Sequence, residues 1–394
     1  MREHKQNWLD VFSSFRVALD ARKIILGTLG VYVTVIVLLG LLTLAGRQWP
    51  GAQPYSMQII QNPVRVLPQL ACAVCNTICA GPTLGQWAFM GFSGMLMLFI
   101  WAFFGGAVVR LAAVDFAKGE RPEMGAATAF AARKFGSFFW SPLVPLIFVG
   151  LFLLCNVALG WVGRLPYAGP VIVGVFFFLA ALSSFLVLIL LIGAYFGFPF
   201  MWPTIAMEGT DAFDAISRSF NYLFARPWKV LWCWLVAGVH GMVTTAFVVL
   251  FVVALLAIAL TSVGAGMGSD FQGGIMESLI SPTVPNGMPR GIAAAVSAFC
   301  GFGLVPAEGQ PWPMLTAMLL VRVLVILAWG LVLGFLVSYK MSAFAVIYSV
   351  LRRDVDGTDM SEVYVPESEE PMETPATPTE PTPETGAGEN KPTA

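Results

Sequence analysis

The sequence predicts an all-α integral membrane protein with six transmembrane helices, cytoplasmic amphipathic interfacial helices and a disordered acidic C-terminal tail. Three observations lead there. Hydrophobic residues make up 57% of the chain and charged ones 11%, with a mean hydropathy of +0.78, far too apolar for a soluble chain of this length. Six stretches are long and apolar enough to cross a ~30 Å hydrocarbon core as helices. The last stretch is rich in Pro, Thr and Glu and has almost no large apolar side chain after Val365, so it has nothing with which to bury a core.

The six apolar runs are Ile24 to Ala45, Trp87 to Val109, Phe138 to Trp161, Pro170 to Phe196, Val230 to Leu260 and Met314 to Tyr339. The first reads as a span rather than a cleaved signal peptide, because 23 residues precede it and its apolar core exceeds the usual ~7–15 residues. Lys and Arg set the orientation. Sixteen fall on one side, among them Lys23, Arg110, Lys134, Arg218, Lys229 and Arg352, against Arg47, Arg65, Arg164 and Arg290 on the other. The localisation expected is therefore the bacterial cell inner membrane, with the N- and C-termini cytoplasmic.

The formal net charge of −1 hides a division at Arg353. Residues 1–353 hold 21 basic and 12 acidic side chains, whereas 354–394 hold 1 and 11. The basic rim suits anionic lipid headgroups, which an acidic tail would avoid.

Between the fourth and fifth runs lies DAFDAISRSFNYLFARPWK, Asp211 to Lys229. Phe213, Ile216, Phe220, Leu223 and Phe224 recur at helical spacing, opposite Asp214, Ser217, Arg218 and Asn221, as in a helix lying on a membrane. Asp214 and Arg218 form an i,i+4 pair, and Pro227 stops or kinks the helix. Trp228 and Lys229 mark the headgroup level. The N-terminal segment repeats the theme, with Trp8, Val11, Phe12, Phe15 and Leu19 opposite Asp10, Ser13, Ser14 and Asp20. Arg22 and Lys23 follow, with stems long enough to reach headgroups.

A third surface segment, Gly119 to Phe138, places Pro122 at a first helical position. Its apolar stripe is Met124, Ala127, Ala131, Phe135 and Phe138, and Phe130 interrupts the polar face. Pro199 and Pro203 are expected to end the fourth span. The domain 1–353 thus parses into units 1–115, 116–205 and 206–353, each a surface helix followed by two spans. The competing view is that short amphipathic linkers arise wherever spans need elbows. Residues 354–394 form the separate tail.

The outer side is expected to hold the loop from Gly46 to Gln86 and the largest loop, Thr261 to Trp312. Cys72, Cys75 and Cys79 lie in the first and Cys300 in the second. Three readings stay open for these four: at least one disulfide, unpaired small apolar residues, or a thiolate metal site that would need reduced thiols. Cys155 and Cys233, inside spans, read as packing residues.

Ionisable residues inside a membrane are costly, and two stand out. His240 lies about 16 Å beyond Lys229 and Arg322 about 15 Å past Trp312 at 1.5 Å per residue, so both fall near mid-depth. The bland reading has Arg322 snorkelling and His240 neutral against backbone. The sharper one is a polar cavity lined by His240, Thr244, Thr245 and Arg322 that holds an anionic group such as a lipid phosphate. Gly193 with Gly197 and Gly330 with Gly334 are small-xxx-small pairs that read as close helix packing.

Absent are HExxH, a Walker loop, GxSxG and paired intramembrane carboxylates, and the chain has 2 histidines. Hydrolase, ATPase and proton-relay chemistry lack their usual residues. No cofactor, metal or nucleic acid is expected.

The stretch EGTDAFDAISRSFNYLFARPWKVLWCWL, Glu208 to Leu235, runs an Ala/Ser-rich amphipathic helix through a Pro-Trp elbow into a span. It resembles bacterial six-span membrane proteins related to the membrane domain fused to some glycerophosphodiester phosphodiesterases. The resemblance covers this helix and its counterpart near Gly119. It implies an all-α bundle with surface helices, carries over no site residues and brings no hydrolase domain. The role expected is a non-catalytic scaffold or membrane-organising partner, engaging membrane lipids through surface helices and a protein through the acidic tail. The alternative is a small transporter or lipid-handling protein with a polar site near mid-membrane.

Overall fold

Long apolar runs become helices because only a helix satisfies its backbone groups within the segment when no water is present. The computed structural model describes residues 7–49, 55, 63–267 and 312–365, and among them every regular element is helical. A 3-10 turn, Trp8–Phe12, runs into α1 (Ser13–Ala18), followed by α2 (Ala21–Gln48), α3 (Pro63–Cys79), α4 (Leu84–Lys118) and α5 (Met124–Arg133). Then come α6 (Phe135–Val162), α7 (Ala168–Glu208), α8 (Ala212–Ala225), α9 (Pro227–Met267) and α10 (Trp312–Asp356). Six of these, α2, α4, α6, α7, α9 and α10, are long and apolar enough to cross a membrane, so the chain has the architecture of a multi-pass membrane protein.

Four of the six overrun. Helices α4, α7, α9 and α10 have 35, 41, 41 and 45 residues, where about 20 suffice to cross. The surplus of α4, α7 and α10 gathers at one end, which we call the packed end. There Ala107–Ala113 of α4, Phe200–Met207 of α7 and Ala345–Leu351 of α10 are almost wholly buried. The rest of the bundle is open: only 6% of the most apolar window of α7 is buried, and 11% of those of α6 and α9. Surfaces that apolar need lipid as their solvent. On α6 the exposed Trp140 and Trp161 are 21 residues apart, or about 31 Å, the spacing of two aromatic belts.

Helices α2, α4 and α10 pack on one another, the α6–α7 hairpin packs on α4, and α9 packs on α10. The α2–α10 crossing is very close, since a Cβ on Gly27 would stand 2.8 Å from the Gly334 carbonyl oxygen. Gly330 and Gly334 thus serve helix approach. Gly193 and Gly197 do something else: they seat the Phe220 ring of α8.

Several expectations need correction. Pro199 and Pro203 do not end the helix of the fourth span, because α7 continues to Glu208 through both. Each proline removes one backbone hydrogen bond, and the dense packing around Phe200–Met207 holds the helix together regardless. The segment Gly46 to Gln86 is no simple loop, since it contains α3. Pro122 is not a first helical residue, because Glu123 is the N-cap of α5.

Each short helix turns part of its apolar stripe inward and leaves the rest exposed. On α8 the buried residues are Ala212, Ala215, Ser219, Tyr222 and Leu223, while Phe213 and Phe224 are 67% and 52% exposed. On α5 Phe130 is the buried centre and Met124 is exposed. At the N-terminus Asp10, Val11, Ser14, Val17 and Ala18 are buried and Phe12 and Leu19 exposed. Small residues let these helices approach the bundle; Phe130, Phe220 and Tyr222 pack inward, and Phe12, Phe213 and Phe224 face outward.

Helices α4, α7 and α10, the last of each expected unit, all close on a left-handed glycine: Gly119 (φ 74°), Gly209 (φ 66°) and Gly357 (φ 70°). Glycine carries no Cβ penalty there. The first compact unit runs to Val363 rather than to Arg353.

Candidate functional site

Helix α9 packs on α10 but makes little contact with α7. The gap, floored by α10, is a cavity of about 950 Å³. Small residues make room for it: Ala194 of α7, Ala237, Gly238 and Gly241 of α9 and Ala343 of α10 all line it. Its rim is open sideways, since the lining residues Leu146, Tyr195 and Met242 are 49%, 72% and 68% exposed. The walls are aliphatic and aromatic, as in most ligand sites.

Few polar groups line it. Trp234 and Thr245 each keep a buried polar atom, Nε1 and Oγ1, with no hydrogen-bond partner among the described residues. Leaving such a group unsatisfied costs about 1–3 kcal/mol. Lys340 lines the cavity and is exposed, and among the described residues it makes no hydrogen bond or ion pair. No Asp or Glu is among the lining residues.

The expected polar set does not assemble. His240 Nδ1 is 3.0 Å from Tyr339 Oη, which donates to the Ala237 carbonyl at 2.8 Å. With its one proton committed, the Tyr339 oxygen accepts from His240, which fixes the Nδ1–H tautomer. Phe12 and Phe15 meet the His240 ring edge-on at 5.1 and 6.3 Å. His240 is thus a packed residue behind the cavity wall. Thr244 bonds back to the His240 carbonyl at 2.9 Å, and of the set's described side chains Thr245 alone lines the cavity. Arg322 lies on α10, 17 residues before Tyr339, or about 25 Å away along the helix. The depths diverge because α10 overruns the membrane at the packed end; the Arg322 side chain is outside the described residues.

Local pattern missed a second group of residues at the packed end. Lys23 is fully buried rather than at a headgroup: it pairs with Asp115 at 2.6 Å and donates to the Val17 carbonyl at 2.6 Å. Arg110, also buried, donates to the Ala206 carbonyl at 2.7 Å and lies 4.4 Å from the centre of the Phe130 ring. Lys134 donates to the Gly209 carbonyl at 2.5 Å. Glu208 is paired with Arg218 at 2.8 Å and Arg352 at 3.1 Å and accepts from Tyr348 at 2.5 Å.

Residues beyond Arg353 join this network. Asp354 pairs with Lys229, Tyr222 donates to Asp356, Glu362 stands 3.7 Å from Arg352, and Met360 is buried. Burial alone would lower the Arg218 guanidinium, but the Glu208 charge and the Asp214 hydrogen bond push it up. Burial, then Asp356 and Glu208, push the Tyr222 hydroxyl well above its ordinary value. Each of these side chains has a partner inside the protein, although Asp115 Oδ1 and Arg352 Nε lack a hydrogen bond among the described residues.

Cys72, Cys75 and Cys79 are free and exposed along α3, and Cys300 lies outside the described residues. Cys155 is exposed and Cys233 buried, so only Cys233 packs within the protein. Among the described residues no group of His, Cys, Asp and Glu could hold a metal ion. Compared with known protein families, characterised proteins and solved structures, the chain matches none.

Proposed function

We propose that this is a non-catalytic, lipid-binding membrane protein whose packed end faces the cytoplasm and whose cavity between α7, α9 and α10 takes a lipid acyl chain from the bilayer. The cavity carries this reading. It is apolar, open sideways to a surface that only lipid can solvate, and large enough for part of a lipid. Charge supports the orientation, because the basic side chains gather at the packed end. The short helices fit the same picture. Phe213 and Phe224 of α8, with Trp228 at 82% exposure, form an apolar edge at the boundary of the packed end, suited to a membrane interface. The described groups around the cavity contain no nucleophile–base pair, which favours binding over catalysis.

Filling the cavity tests the proposal. Gly238 lines it, and a Cβ there meets nothing within 4 Å, so Gly238→Phe places a ring in the space without displacing backbone. The protein purified from its native membrane should carry bound lipid, and G238F should carry at most a tenth as much. Equal lipid in both would contradict the reading.

A second reading, a scaffold acting through the acidic tail, rests on the seven glutamates beyond Val365. Deleting residues 366–394 separates the two. A scaffold loses its protein partner, while lipid retention is unchanged.

A further inference from the structure

Resting on the lipid reading above, we infer that the cavity selects an anionic glycerophospholipid, holding its phosphate at Lys340 with the acyl chain directed away from the packed end past Met242 and Thr245 of α9. Depth comes first. Lys340 and Pro142 line the same cavity, and Pro142 follows the exposed Trp140 by two residues. Trp140 marks one of the two aromatic levels about 31 Å apart. The mouth of the cavity on the packed-end side therefore lies near headgroup depth, and the exposed Lys340, on its long stem, extends its ammonium toward lipid phosphate there.

Charge comes second. Lys340 is exposed and has no ion-pair partner among the described residues, so its ammonium is open to an anion. The neighbouring phenol cannot supply one, because Tyr339 donates to the Ala237 carbonyl. An anion completes the site. A zwitterionic lipid also offers a phosphate, but its ammonium would find no carboxylate among the lining residues. The basic body, with 21 cationic against 12 acidic side chains up to Arg353, would repel it.

Tyr339 meets Gly241, so Lys340 lies near that level of α9, with Thr245 one turn further from the packed end, about 6 Å, and Trp234 about 10 Å toward it. The same geometry assigns the lipid to the leaflet on the side of the packed end.

The test uses the full chain in nanodiscs containing equal phosphatidylglycerol and phosphatidylcholine, with bound lipid counted by native mass spectrometry. The wild type should retain phosphatidylglycerol about tenfold over phosphatidylcholine, Lys340→Gln should retain the two about equally, and Lys340→Arg should keep the preference. Lys340→Arg also shows that a loss in K340Q reflects charge and not misfolding. A preference surviving in K340Q, or absent from the wild type while lipid is still bound and G238F still loses it, overturns the headgroup inference and leaves the cavity reading intact. Lipid retained equally by wild type and G238F overturns the cavity reading itself.

Discussion

Lys23 and Asp115 meet at 2.6 Å with side chains 0% and 4% exposed, tying the start of α2 to the end of α4. Neither charge can reach water, so each depends on partners inside the protein, the other member of the pair among them. Lys23→Met or Asp115→Asn should destabilise the protein by about 3–5 kcal/mol. The double variant Lys23→Met, Asp115→Leu should recover most of that loss. Unfolding in detergent, followed by intrinsic fluorescence, reads the coupling; additive losses would show that the pair is not a unit.

The α2–α10 crossing makes a second prediction. Gly27 faces backbone, with its added Cβ 2.8 Å from the Gly334 oxygen, whereas Gly238 faces open space. Gly27→Ala should therefore cost about 1–3 kcal/mol, and Gly238→Ala should leave stability within about 0.5 kcal/mol. Equal effects in the same unfolding assay would place the tight crossing elsewhere.

Truncation probes the root of the tail. Ending the chain at Val363 keeps Asp354, Asp356, Met360 and Glu362, all of which contact the body, and the unfolding midpoint should not move. Ending it at Arg353 removes them. Loss of the Tyr222 hydrogen bond to the Asp356 carboxylate alone should cost about 1.5–3 kcal/mol, with the half-exposed Lys229–Asp354 pair adding at most about 1.

The pH dependence follows from Tyr222. Burial raises its hydroxyl above the ordinary 10.0, with Asp356 and Glu208 adding to the effect. A group raised in the folded state favours the proton-bound form there, so its contribution is complete below pH 10 and falls as the pH climbs beyond it. Tyr222→Phe should be less stable than wild type at neutral pH and should lose less stability above pH 10. Parallel stability curves for the two proteins would contradict the assignment.

The sequence shows the six spans because nothing but a membrane helix uses about 20 apolar residues in a row. It does not show where each helix leaves the membrane. In α4 the run Ala107–Val109 is as apolar as the span before it, and the same composition fills a protein core past Arg110. That is why His240 and Arg322, both near the middle of their apolar runs, lie at different depths. The Lys23–Asp115 pair spans 92 residues of sequence, beyond the reach of any periodicity. On α8, hydropathy marks one Phe-rich face for lipid or bundle alike, and it does not show that Phe220 and Leu223 pack inward with Ala215 and Ser219 while Phe213 and Phe224 stay exposed. Cavities leave the weakest trace of all. Gly238 could have suggested close packing as readily as empty space, and the structure gives it open space while Gly241 receives the Tyr339 ring.

Native mass spectrometry of the wild type and G238F, released side by side from native membrane, tests the account most directly. The account predicts a lipid adduct on the wild type that G238F lacks at equal stability. The same adduct on both proteins, or none on the wild type, would contradict it.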